Sequence, residues 1–131
     1  MISKAKRVRV IRTDLNTGQK ECLSDGIRKI VGGNQLFYTE GGSAGCPVRV
    51  EIHSTSITIQ RQGETATTML LVLHQRSVSR IQTEFGVFEI GNLTTLLEQN
   101  DDCWRVAYEI GEAGQPSDCF QIEWFFKEAE A

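Results

Sequence analysis

Proline is almost missing from this chain, two residues in 131, and histidine is equally scarce. The two histidines, His53 and His74, have no Ser, Cys or carboxylate at a recognisable catalytic spacing, which removes the usual general base. There is no Cys-x-x-Cys pair. Cys22, Cys46, Cys103 and Cys119 are far apart, with no histidine at ligand spacing, so a zinc site is excluded and reduced packing cysteines are expected. No long apolar stretch exists: the longest, Met69 to Leu73, is far below the roughly 18 residues of a membrane span. A secretory signal needs an apolar run of about 7 to 15 residues, and the segment from Val8 to Thr13 is broken by Arg9 and Arg12. The expectation is a soluble, cytoplasmic protein with no membrane partner. Nor is there an excess of positive charge: 14 Lys and Arg face 17 Asp and Glu, a net charge of -3 that disfavours nucleic acid.

Other chemistry is missing as well. The glycines at 32, 33, 41, 42 and 45 are not followed by Gly-Lys-Ser or Gly-Lys-Thr, so they make no phosphate loop. Asp101 and Asp102 sit in Asn-Asp-Asp before Cys103, where turn formation explains them better than paired acid and base catalysis. No nucleophile, base and orienting group can be nominated together. The chain reads as a non-enzyme without cofactor or metal.

What is present is period-two alternation, in short segments parted by Gly, Asn, Asp and Pro. Phe120, Ile122, Trp124 and Phe126 share one face and Gln121 and Glu123 the other. Before them, Trp104, Val106, Tyr108 and Ile110 oppose Arg105, Ala107 and Glu109. The loop Gly111 to Ser117 makes the two an antiparallel hairpin. Val48, Val50 and Ile52, then Ile57 and Ile59, repeat the pattern around a tight turn at Ser54 to Ser56. Near the start, Lys4, Lys6, Arg7, Arg9 and Arg12 could gather as a basic patch, but alternation with Val8 and Val10 reads as a strand with one wet face. No repeat, low-complexity tract or interdomain linker appears, so residues 1–131 are expected to form one domain.

Three segments are less clear. Met69 to Leu73 is apolar on both faces, so it is either covered outside or paired in an oligomer. Gly41 to Pro47 reads as a mobile loop, a candidate lid beside the aromatic strand Leu36 to Glu40. Asn92 to Gln99 is open between strand and short helix, since Leu93, Leu96 and Leu97 lie on one helical stripe with Asn92 as cap. With about eight to ten short strands in so small a chain, closure into an up-and-down antiparallel barrel removes exposed edges.

The block Ile-Thr-Ile-Gln-Arg-Gln-Gly from Ile57, then Met69, then Thr-Glu-Phe-Gly at Thr83 to Gly86, resembles the bacterial YwiB-like family of unknown function. The segments Leu36 to Glu40, Thr94 and Thr95, and Val106 to Tyr108 continue that order along nearly the whole chain. The resemblance implies a calycin or lipocalin-like antiparallel barrel with no assigned activity. The Gly-x-Trp signature of secreted lipocalins is absent, since Asn16 is followed by Thr-Gly-Gln-Lys.

Five residues are candidates for lining such a lumen. Arg61 shares parity with Ile57 and Ile59, so it points inward and needs either an internal carboxylate, Glu40 or Glu89, or the anionic head of a ligand. Thr83 shares parity with Ile81 and Phe85 and faces either a cavity or a nearby backbone group. Tyr38, Trp104 and Tyr108 combine apolar bodies with polar tips, as pocket residues do and as core aromatics also do. The leading expectation is noncatalytic binding of a small apolar or amphipathic ligand in the barrel. The alternative is a protein interaction module or homodimer using Met69 to Leu73.

Overall fold

Alternation of apolar and polar residues becomes ten antiparallel strands in the computed structural model, which describes residues 5–41, 45–112, 114 and 117–128. They are β1 (Ala5–Asp14), β2 (Lys20–Val31), β3 (Gln35–Glu40), β4 (Cys46–Ile52), β5 (Ser56–Gln62), β6 (Ala66–Val72), β7 (Arg76–Thr83), β8 (Gly86–Gln99), β9 (Cys103–Ile110) and β10 (Asp118–Glu128). Each pairs with its neighbours in sequence, and β10 returns to β1, from Lys6↔Glu128 to Asp14↔Phe120, closing the barrel. No helix occurs among the described residues, so none is long and apolar enough to cross a membrane.

Asn92 to Gln99 is therefore strand, the second half of β8. Its helix-like leucine spacing has a local cause. The register against β9 slips between Thr94 and Leu96, so one extra residue reverses the parity of everything after it. Leu93 lies opposite Glu109 on the outer face, Leu96 opposite Ala107, and Leu97 opposite the inward Val106. A bulged strand thus imitates a helical stripe.

The two ends of the barrel differ. At one, Val8, Leu36, Ile52, Ile57, Leu71, Trp104, Val106, Ile122, Trp124 and Phe126 interdigitate as a closed apolar core. We call this the closed end. The opposite, open end carries the β1–β2, β3–β4, β5–β6, β7–β8 and β9–β10 connections. Of the loops read there, residues 42–44 of the glycine-rich segment and 113, 115 and 116 of the β9–β10 connection lie outside the described residues.

As the alternation with Val8 and Val10 implied, β1 is a strand with one wet face. The basic residues of β1 do not share a face: Arg7 and Arg9 point outward, whereas Arg12 lies opposite the inward Ile122 and faces the open end. Lys4 is outside the described residues. On β6, Met69 and Leu71 are buried but Leu70 is 45% exposed, with Val78 of β7 exposed nearby, so none of the described residues covers that outer face.

Strand β2 is the least regular element. Its inward positions opposite Val8 and Val10 are Gly26 and Ser24, and the register against β1 slips between Val10 and Ile11. Small residues there give the hydrophobic effect little to bury, so only Leu23 and Ile30 tie this strand to the core.

Candidate functional site

Towards the open end the side chains on the inward face change character. Arg61 takes the position after Ile57 and Ile59 on β5; Ser77 and Ser79 occupy inward positions on β7; Asn92 and Thr94 do so on β8. An inward polar group must find partners, because an unpaired one costs about 1–3 kcal/mol. All of these but Thr94 belong to two networks. In the first, Trp124 Nε1 donates to Tyr38 Oη at 3.2 Å and Tyr38 Oη donates to Glu40 Oε2 at 3.1 Å. Arg61 Nε then donates to Glu40 Oε1 at 2.8 Å, with Nη2 3.5 Å from Oε2. In the second, Ser79 Oγ donates to Asn92 Oδ1, and Asn92 Nδ2 donates to Ser77 Oγ at 2.6 Å. Thr94 Oγ1 is buried with no partner among the described residues.

Above this polar layer the core stops and a cavity of about 220 Å³ opens. Its floor holds Arg61, Ser79, Asn92 and Tyr108, and its walls are Met69, Ile81, Ile90, Ile110 and Phe120, with Thr67 and Arg12 at the side. Arg12 is committed outward to Glu21, Nη2 to Oε2 at 2.6 Å, while its guanidinium lies 5.9 Å from the Phe120 ring centre. Phe88 lies opposite Ile81 in the inward register yet is 53% exposed, an apolar ring at the mouth with no core against it.

Electrostatically the site is nearly balanced, since Arg61 is matched by Glu40. Burial pushes the Tyr38 phenol well above its ordinary value, and the neighbouring Glu40 carboxylate adds to that. Burial likewise raises Tyr108. Both phenols stay neutral around pH 7, and the Tyr108 hydroxyl makes no hydrogen bond among the described residues.

The five sequence candidates do not converge. Arg61 and Tyr108 line the cavity. Tyr38 stands behind it, holding Glu40. Thr83 turns into the β7–β8 hairpin, where its Oγ1 accepts from Phe85 N at 3.1 Å and lies 3.3 Å from the Gly86 carbonyl oxygen; the shared parity with Phe85 ends there, for Phe85 sits at the tip, 86% exposed. Trp104 belongs to the closed end, edge-on to Phe126 with ring centres 5.0 Å apart. Of the carboxylates considered for Arg61, Glu40 is the partner, while Glu89 points outward towards Arg80.

Sequence reasoning missed Ser79 and Asn92. The signal was available, since Ser77 and Ser79 break an apolar parity, but Asn92 read equally well as a helix cap. The histidines lie away from the cavity: His53 Nε2 is 3.0 Å from Glu51, and His74 occupies the β6–β7 turn. No group of three His, Cys, Asp or Glu suited to a metal ion occurs among the described residues, and the four cysteines are free.

Residues 7–123 match the family described as a domain of unknown function (DUF1934). The crystal structure of the ywiB protein from Bacillus subtilis is similar in fold, with a TM-score of 0.59 and 15% identity, covering 94% of this chain and 90% of that one. No curated protein matches.

Proposed function

The chain belongs to the DUF1934 family of domains of unknown function, and from that premise we propose that its barrel is a noncatalytic, lipocalin-like container for a small amphipathic molecule. One observation carries this reading: the packed core ends at a polar layer, and the cavity above it has apolar walls including Ile81, opposite which the half-exposed Phe88 sits in the strand register. A ligand entering polar head first meets the free Tyr108 hydroxyl at the floor and leaves its apolar part against Ile81, Ile90 and Phe120. At about 220 Å³ the cavity is below the roughly 300–1,000 Å³ of drug-sized sites, so the occupant is small.

Arg61 is not the anchor for an anionic head, because Glu40 already occupies its Nε and faces Nη2. A hydroxyl or other neutral polar head fits this balanced floor better than a full charge. Octan-1-ol and octanoate, titrated into ¹⁵N-labelled protein, test the reading. Octan-1-ol is expected to shift the amides of Ile90, Tyr108 and Ile110 and to bind no more weakly than octanoate. Losing one hydrogen bond, Tyr108→Phe should weaken binding by about 0.5–1.5 kcal/mol, and Ile90→Trp should fill the cavity and abolish it. Absence of shifts in the open half, or unchanged binding by Ile90→Trp, would refute it.

The uncovered outer face at Leu70 and Val78 supports a second reading, association of two copies through β6 and β7. Sedimentation velocity at several concentrations decides it, since a monomer throughout rules it out and a dimer that Leu70→Lys dissociates supports it.

A further inference from the structure

Backbone pairing closes the barrel but is short along two seams: β6 pairs with β7 only from Ala66 to Met69, and the ladder between β2 and β3 is shorter still. β2 pairs with β1 from Lys20 to Lys29, but with β3 only at Ile30↔Leu36 and Val31↔Gln35. β3 in turn pairs with β4 along its whole length, Gln35 to Glu40. Among the described residues, the edge of β2 before Ile30 and the edge of β3 after Leu36 therefore have no strand beside them. The cause is visible in β2 itself, whose bulge and small inward residues Ser24 and Gly26 leave it free to diverge from the core.

Beside the seam between β2 and β3 lies a cleft of about 590 Å³. Arg28 and Arg49 line it, and no acidic residue does. The Arg28 side chain lies back over Gly26, where a Cβ would stand 2.8 Å from Nη1. Its Nη1 donates to the Ile27 carbonyl at 2.9 Å, its Nε is buried without a partner, and it makes no ion pair among the described residues. Arg49 is held loosely, 3.6 Å from Glu51 and 5.8 Å over the Phe37 ring. A buried guanidinium nitrogen without an acceptor, next to two unpaired strand edges, is matched by a carboxylate carried on an extended chain.

We propose that the seam between β2 and β3 receives an extended, acidic peptide segment of a partner protein as an added strand. Main-chain hydrogen bonds to the two free edges supply the binding mode, and Arg28 with Arg49 selects for negative charge. The cleft and the cavity at the mouth share no lining residue, so this peptide site stands apart from the container reading.

A library of random twelve-residue peptides selected on the immobilised full-length chain provides the probe, and the strongest binder is then synthesised. The expected peptide carries net negative charge and slows amide hydrogen exchange at least tenfold in both Ser24–Lys29 and Phe37–Glu40. Arg28→Gln, a substitution at a half-buried site, should weaken it at least fivefold, and Arg49→Gln should do so independently if Arg28→Gln fails to fold. Four outcomes overturn the proposal: no peptide enriched over an unrelated protein, cationic peptides enriched instead, protection elsewhere in the barrel, or both arginine variants binding as tightly as the original chain. Concentration-dependent protection of the same edges without peptide also overturns it, because a second copy of the chain would then occupy the seam.

Discussion

Replacing Arg61 with methionine strips the Glu40 carboxylate of its ion-pair partner while keeping the length and apolar bulk of the side chain. Truncating one member of a buried pair costs about 3–5 kcal/mol, because the remaining charge is left uncompensated. Here the side chains retain 19% and 12% exposure, and Glu40 keeps the Tyr38 hydroxyl at 3.1 Å, both of which reduce the penalty. A loss of about 2–3 kcal/mol follows, and at about 4 °C per kcal/mol for a domain of this length Tm falls by about 10 °C. Urea denaturation at pH 7 measures it, with the slope m unchanged so that the shift reports stability alone. The decisive comparison is Arg61→Met with Glu40→Leu. If the cost comes from a stranded charge, removing that charge recovers at least half of it. A single variant within about 0.5 kcal/mol of the parent, or a double variant no better than the single, would refute the reasoning.

The burial that raises Tyr38 and Tyr108 makes stability depend on alkaline pH. A phenol raised in the folded state keeps its contribution below its unfolded value of about 10 and loses it as pH climbs towards the folded one, so the urea midpoint should decline above about pH 10 and decline less steeply in Tyr38→Phe. His74 adopts φ 62° in the β6–β7 turn, a left-handed conformation that costs a side chain about 1–2 kcal/mol; His74→Gly should therefore gain about 0.5–1 kcal/mol in the same assay after glycine's own chain entropy is subtracted. Trp124, fully buried and donating to Tyr38, is expected to cost about 3–5 kcal/mol when replaced by alanine, measured by thermal unfolding, whereas Phe85→Ser at the exposed hairpin tip should stay within about 0.5 kcal/mol.

Much of the architecture was legible because strand patterning is local. Val48, Val50 and Ile52, or Phe120 to Phe126, declare their faces within a few residues, and many such segments without a helix in so short a chain lead to a closed antiparallel barrel. Arg61 could be placed inward by the same parity. Where parity is interrupted, the reading failed for a physical reason. The extra residue near Thr95 in β8 reversed the faces of Leu96 and Leu97 and produced a pattern shared with a helix. The hairpin after Thr83 ended the alternation that had suggested an inward Phe85.

The candidate site was harder to read than the fold. Trp104 and Tyr108 lie on the same face of the same strand, yet one is sealed in the closed core and the other faces the cavity. Parity says which face a side chain takes but not how far along the barrel axis the core extends. That distance depends on register between strands remote in sequence, as does the bond from Trp124 to Tyr38. The sequence by itself determined an all-β chain, the inward faces of most strands and an inward cation in need of a partner. Only the tertiary structure decided that Glu40 is that partner, that one end of the barrel is open, and that β2 parts from β3, because each depends on where separate strands come to rest against one another.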